Sequence, residues 1–238
     1  MGFSVNIDRI SQKLEGKTIL ENLSLKIEAG QFVAILGENG AGKTSLLDLI
    51  MGFKKPSSGK VELDGQTSHL DPWALRHEIC YLSEKVDLPG DWTVEEFLMF
   101  NRFFYKSYSS QVEAKLRNEF KVNLKAKIGN MSAGELRRVQ IVASLSIRPK
   151  LVIIDEITAV LDIVGRRKFL NLLSEINQAE KCTILIATNI LEGLDGCISH
   201  LLLMEKGRKL DFTSLLDFLG SKPKDQFVPL VADRLERT

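Results

Sequence analysis

The chain lacks what would tie it directly to a membrane, an oxidising compartment or a polyanion. Its longest apolar runs, such as Phe32 to Leu36 and Leu151 to Ile154, fall far short of the roughly 20 residues that cross a bilayer. The N-terminus has no basic segment followed by an apolar core, so no signal peptide is read there. Met1-Gly2 opens like a myristoylation site, but Asn6 stands where that motif needs Ser or Thr. Cysteine is scarce. Cys80, Cys182 and Cys197 are odd in number and lack metal spacing, and the first two border apolar runs, which suits buried reduced thiols. Charge of one sign is absent too: 32 Lys and Arg against 31 Asp and Glu leave a net charge of +1, which gives no electrostatic reason to expect nucleic acid. There is no internal repeat and no low-complexity tract. What remains, 44% apolar and 26% charged over 238 residues, is an ordinary globular composition with room for one large domain or two small ones. The expectation is a cytoplasmic protein whose membrane association, if any, comes through a partner.

What is present is sharper. Gly37-Glu38-Asn39-Gly40-Ala41-Gly42-Lys43-Thr44 is a complete G-x-x-x-x-G-K-[ST] loop, with the run Phe32 to Leu36 reading as a strand before it. The segment from Lys43 through Ser45 to about Met51 reads as a helix, with Leu46, Leu47 and Ile50 on one face. Glycines let successive N–H groups converge on phosphate oxygens, and the helix adds its positive end. Lys43 supplies a point charge, and the Thr44 hydroxyl suits Mg²⁺. A nucleoside triphosphate is the expected ligand.

The rest of the chain arranges itself around that loop. Residues 1–30 read as two or three strands, with Val5, Ile7 and Ile10, then Leu23, Leu25 and Ile27, alternating with polar residues. That is an antiparallel layer with one wet face. Gly59 to Gly65 reads as a strand closed by a turn, followed by Ile79 to Leu82. Leu151 to Ile154 and Thr183 to Ala187 read as buried parallel strands, and Leu201 to Met204 and Lys209 to Phe212 flank a Lys206-Gly207 hairpin. Residues 84–146 carry only helical patterns, over Val94 to Phe104, Val112 to Phe120 and Ala133 to Ile147. The fold expected is therefore α/β: a P-loop NTPase core with a mostly parallel central sheet, an N-terminal antiparallel β layer and an inserted α-helical lobe. Its division is a single domain over 1–220, with core 1–83 and 147–220 and lobe 84–146, then a tail over 221–238 that contains Pro223 and Pro229 and has no assigned role.

Two further landmarks narrow the chemistry. Leu151-Val152-Ile153-Ile154-Asp155-Glu156 puts two carboxylates at the end of a buried strand, where Asp155 can hold Mg²⁺ and Glu156 can deprotonate an attacking water. Alone it is equally a strand ending in acidic solvent-facing residues; the phosphate loop tips the balance. Met131-Ser132-Ala133-Gly134-Glu135 holds a capping box, S-x-x-E, so Ser132 starts a helix. Many helices start this way, yet a hydroxyl, a Gly N–H and a helix dipole together also make a second anion site. A second copy of the chain is what could present it to the first loop's phosphates.

With these residues in view, the run from about residue 3 to 220 resembles the ATP-binding subunit of an ABC transporter. Gly37 to Thr44 matches that family's first phosphate motif, Met131 to Glu135 its Leu-Ser-Gly-Gly-Gln signature, and Leu151 to Glu156 its Mg²⁺ strand. Ala159-Val160-Leu161-Asp162 stands in the place of its Ser-Ala-Leu-Asp loop. The stretches Tyr81 to Glu84 and Leu161 to Arg166 look most like drug- or antibiotic-export-type subunits. The resemblance implies ATP and Mg²⁺ as ligands and a head-to-tail dimer, homodimer or heterodimer with another ATP-binding subunit. Ser132 and Gly134 would touch the γ-phosphate in trans and Asp162 would bridge the two sites. It also implies a membrane-spanning permease partner, with this chain peripheral on the cytoplasmic face of the cell membrane.

The chain departs from the family pattern at several points. Glu84 stands where the family has a Gln that contacts Mg²⁺ and water; a carboxylate can still ligate the metal but adds negative charge. Ala133 replaces a Gly and Glu135 a Gln in the signature. Ala keeps the N–H while restricting φ. Leu14 aligns with the aromatic expected on adenine, where stacking would be lost; a plain strand residue is nearly as good a reading. Asn189 stands where the family has His, and it can donate a neutral hydrogen bond only. Slow hydrolysis follows as an expectation, as does an alternative reading as a hydrolysis-poor regulatory module, the degenerate half of a heterodimer.

Eight of the 17 aromatics fall within residues 81–108. Phe97, Phe100 and Phe104 share a helical face that suits a core. Phe103 and Tyr105 fall off it and are the candidates for contact with a membrane subunit's helix. Rival classes fit less well. A DNA-repair or chromosome-organising ATPase needs a long coiled-coil insertion, whereas fewer than a hundred residues without sustained heptads separate loop and signature. A translation-associated member would carry two cassettes, and a GTPase would carry an Asn-Lys-x-Asp motif.

Overall fold

Residues 1–70, 75–83, 85, 87–156 and 162–236 are described by the structure, a computed structural model. Glu84 and residues 159–161 of the expected Ala-Val-Leu-Asp loop lie outside the described residues.

The N-terminal alternation forms one hairpin of two strands, β1 (Val5–Leu14) and β2 (Lys17–Ile27), antiparallel across a Glu15-Gly16 turn. Val5, Ile7, Ile10, Leu23, Leu25 and Ile27 are all buried on its inner face. Two more strands, β4 (Ser58–Leu63) and β5 (Gln66–Thr67), complete an antiparallel sheet in the order β2-β1-β4-β5. The second sheet contains β3 (Phe32–Leu36), β6 (Ile79–Leu82), β7 (Leu151–Asp155), β8 (Thr183–Ala187), β9 (His200–Glu205) and β10 (Arg208–Ser214), ordered β10-β9-β3-β8-β7-β6. Its pairings are parallel except at the edge, where β10 returns antiparallel to β9 across the Lys206-Gly207 turn.

Every residue of β3, β7 and β8 is buried, because both faces of this sheet are covered. Successive side chains of β3 enter different cores. Phe32, Ala34 and Leu36 join the side that holds the lobe and the C-terminal helices, and Val33 and Ile35 join the side that holds the antiparallel layer. Each such aliphatic side chain contributes about 1.5–3 kcal/mol through burial.

Among the described residues the α-helices are α1 (Lys43–Ile50), α2 (Val94–Phe104), α3 (Ser110–Glu119), α4 (Ala133–Ser146), α5 (Ile163–Glu180), α6 (Leu215–Leu219) and α7 (Phe227–Glu236). The lobe is α2 to α4. It is knitted internally by Glu113, a buried carboxylate that accepts from Arg102 Nε and Nη2 and from the Tyr108 hydroxyl, each at 2.7 Å. The Ser109 N–H, 2.7 Å from the Ser146 carbonyl, ties the start of α3 to the end of α4.

Two expectations change here. The buried face of α2 is Val94, Leu98 and Asn101, so Phe100 (49% exposed) and Phe104 (45%) are not core, and only Phe97 of that trio packs against it. Phe103 is exposed, but Tyr105 is half-buried against Phe104 and His77. The end of the chain also has structure: α7 buries Phe227 and Val231 in the same core as α5 and α6. Among the described residues no helix is long and apolar enough to cross a membrane.

Candidate functional site

At the carboxyl end of β3 the chain turns through Gly37 to Gly42 and enters α1. Gly40 and Gly42 take φ of 84° and 98°, a left-handed region that glycine adopts without strain. A side chain at Gly37 would bring its Cβ within 2.3 Å of the Met204 carbonyl oxygen, so the loop is pressed against the end of β9. Gly42 caps α1 without a side-chain bond to the helix's first N–H groups. Those donors are therefore open to an anion.

Lys43 is 5% exposed, and its Nζ donates to the carbonyl oxygens of Gly37 (2.8 Å) and Glu38 (3.0 Å). It also lies 3.9 Å from Glu156 Oε1. Burial lowers the Lys43 pKa, while Glu156 and Asp155 oppose that shift. The cation thus staples the loop and faces the two carboxylates of β7's end.

Sheet order explains how these groups meet. β8 lies between β3 and β7, and Asp155 sits beside Ala187 in the register. The Thr44 hydroxyl donates to Asp155 Oδ1 at 3.2 Å. Burial pushes the Asp155 carboxyl above its ordinary range, with the Thr44 bond working against it. These hard oxygen donors at 3.2 Å, one on a carboxylate short of solvent, fit a small divalent cation. The next residue, Glu156, has φ 54° and donates its N–H to the Ala187 carbonyl at 3.0 Å. That left-handed turn ends the strand and aims the carboxylate toward Lys43.

Asn189 follows β8 and is exposed. The segment is fixed by the Thr188 N–H on the Ile35 carbonyl (3.3 Å) and by the Ile190 N–H on Thr188 Oγ1 (3.0 Å). Asn189 therefore leaves the strand that runs between the phosphate loop and the carboxylates.

Other expected residues stand elsewhere. Ser132, Gly134 and Glu135 lie at the start of α4, on the lobe. The capping box forms: the Ser132 N–H donates to Glu135 Oε2 at 2.9 Å, and Glu135 N–H to Ser132 Oγ at 3.4 Å. Ala133 is the first helical residue, so its restricted φ is no handicap. A Cβ at Gly134 would meet nothing within 4 Å, which leaves that backbone open to approach. Asp162 caps α5, accepting from the Gly165 N–H at 2.6 Å. Leu14 ends β1 at 55% exposed. The hairpin residues that press on the loop are instead Ile19 and Leu20, next to Gly42 and Gly207. Gly207, whose N–H reaches the Ala41 carbonyl at 3.1 Å, was not foreseen; in sequence it is only a hairpin turn.

This order of loop, signature helix, strand and carboxylates has a counterpart among known proteins. The family model described as ABC transporter matches residues 20–159. The chain belongs to the ABC transporter family. It is of the ATP-binding-subunit type within that family. The zinc import ATP-binding protein ZnuC of Wigglesworthia glossinidia brevipalpis is 33% identical over 79% of this chain and 76% of its own length. The Nod factor export ATP-binding protein I of Rhizobium leguminosarum bv. viciae is 29% identical over 87% of this chain and 68% of its own. A solved structure described as the ATP-binding subunit of an ABC transporter superposes with a TM-score of 0.84, at 25% identity, over 95% of this chain and 98% of that one. In this ABC subunit the phosphate loop and the β7 carboxylates meet within one chain, and Ser132 and Gly134 stand at the start of α4 on the lobe.

Proposed function

We infer that this ABC subunit binds ATP with Mg²⁺, closes on it as a dimer, and hydrolyses it to drive a membrane-spanning permease. The observation that carries the reading is the buried Lys43, bonded to the carbonyls of its own loop and facing Asp155 and Glu156. A cation held in that way supports N–H groups turned toward phosphate oxygens. Thr44 and Asp155 would hold Mg²⁺, which supplies positive charge against the phosphates when bound, and Glu84 would add a ligand. Glu38, Asn39, Ala41 and Ser45 contribute backbone of the cradle and the first turn of α1.

Hydrolysis then follows from the chain's own groups. Glu156 accepts a proton from water as its oxygen bonds to the γ-phosphorus; the β–γ bridging oxygen leaves with ADP. Asn189 donates a neutral hydrogen bond to the γ-phosphate. Ser132 and Gly134, with Glu135 capping their helix, serve the ATP of a second copy or of another ATP-binding subunit, and Asp162 links the two sites. Leu14 contributes an apolar contact to adenine.

Partner docking falls to the aromatic side of the lobe. Trp92, Glu96, Met99, Phe100 and Phe103 line an open, mainly apolar groove of about 500 Å³, and Phe103 is 91% exposed. A groove of this kind suits an amphipathic helix. Through such a helix the subunit would sit peripherally on the cytoplasmic face of the membrane. Export is the direction we favour, on the resemblance of Tyr81 to Glu84 and Leu161 to Arg166; relatives of similar identity are named for import as well as export.

Asn189 favours a second reading, a hydrolysis-poor half of a heterodimer. Losing a charge-assisted contact costs on the order of 1 kcal/mol, or roughly several-fold to tenfold in rate. Phosphate release decides between the two. Asn189→His should raise turnover by about that factor; an unchanged rate removes Asn189 from the chemistry. Turnover only in the presence of a different ATP-binding subunit selects the second reading.

A further inference from the structure

Arg137 is the largest fully buried side chain among the described residues, at 1% exposed. It sits in the second turn of α4, a helix whose Val139, Ile141 and Val142 join the core that also holds Leu82. Its Nη1 donates to the carbonyl oxygen of Ser83, just beyond the end of β6, and to Gln140 Oε1 at 2.7 Å. Burying a guanidinium in such surroundings is costly, and an apolar chain of similar volume would commonly pack there at least as well. What the guanidinium adds is directional: it fixes a lobe helix to the backbone of a core strand.

The position of that bond matters. α4 begins at Ser132, and Arg137 follows five residues later, about 7.5 Å along the axis. The helix is rigid over that length, so its N-terminus and its grip on Ser83 move together. Ser83 in turn continues β6, which pairs with β7 in register from Ile79 to Leu82, and β7 ends in Asp155. The carbonyl held by Arg137 also belongs to the peptide bond that leads into Glu84.

We propose that Arg137 is a positioning residue that sets the anion-binding start of α4 relative to the core, so that Ser132 and Gly134 meet a second copy's triphosphate in the correct orientation. The inference rests on the closure of two copies argued above. It predicts that the bond governs assembly and leaves the chain's own phosphate loop untouched, since it ties α4 to Ser83 rather than to the loop.

The test is sedimentation of the Glu156→Gln protein with saturating ATP and Mg²⁺, alone and combined with Arg137→Met or Arg137→Lys. Nucleotide affinity of the dilute monomer and the thermal midpoint are measured alongside. Met fills the volume without donors; Lys keeps a charge and a donor. Arg137→Met should weaken the ATP-dependent dimer tenfold or more with monomer affinity for nucleotide unchanged, and Arg137→Lys should restore part of the loss. A dimer as tight with Met as with Arg, or a loss matched in monomer affinity, overturns the assignment. A Glu156→Gln parent that stays monomeric overturns the closure reading itself, and the inference with it. Should Arg137→Met give no cooperative melt, Gln140→Leu is read instead, since it removes the acceptor 2.7 Å from Arg137 Nη1. Weaker assembly is again expected, and an unchanged dimer rejects the role.

Discussion

Lys43 is engaged with its own loop before any phosphate arrives, through bonds to Gly37 and Glu38. Hydrogen bonds made by a charged group are each worth about 1.5–3 kcal/mol net, so Lys43→Met should disorder the cradle as well as remove a charge. Calorimetric titration with ATP is expected to show affinity lower by at least tenfold; binding within threefold of the parent would contradict the loop's assignment. Asp155 carries the opposite lesson. Burial raises its pKa, so the folded protein holds that proton more tightly than the unfolded chain. Stability therefore falls as pH rises from the ordinary carboxylate value through the raised one. Asp155→Asn should raise the thermal midpoint of the nucleotide-free protein at pH 7. The difference should shrink as pH falls and be gone below about 3.9. A lower midpoint at pH 7 would show that the carboxylate is not penalised by burial.

Elements differ in how openly the sequence declares them. β3, β7 and β8 are legible as continuous apolar runs because both faces of their sheet are covered, and α1 is placed by the phosphate loop. The start of α4 is legible from Ser132 and Glu135, and the capping box duly forms. Ser132→Ala should cost about 1 kcal/mol in urea melts, whatever it does to assembly; no cost would mean the cap is idle. The face of α2 was not legible. Phe97, Phe100 and Phe104 have the spacing of a buried stripe, yet the stripe that packs is Val94, Leu98 and Asn101. Asn101 satisfies its amide on the Phe97 carbonyl at 2.8 Å, so a polar residue holds a core position and the aromatics turn outward. Helix α7 was hidden by Pro229, which usually signals a break but is tolerated in a helix's first turn, where no N–H partner is needed. Phe227→Ala should cost about 3–5 kcal/mol, measured by urea denaturation; a change below 1 kcal/mol would mean α7 is not part of the core.

At the scale of the molecule, one chain brings the phosphate loop, the Thr44–Asp155 pair and Glu156 together, with Ser132 and Gly134 on the lobe. Sheet order brings the first three together, since β8 alone separates β3 from β7. Under the closure proposed above, a second copy supplies Ser132 and Gly134. Family membership was readable from three short motifs. The docking of β2 and of the Gly207 turn against the loop was not, because contacts between segments so distant in sequence leave no local pattern. The most direct test of the account is the mass in solution of the Glu156→Gln protein, 26.7 kDa per chain, with and without millimolar ATP and Mg²⁺. The account predicts a monomer without nucleotide and a dimer with it, reverting when Lys43 is also replaced by Met. A protein that stays at the mass of one chain with ATP saturating would contradict it.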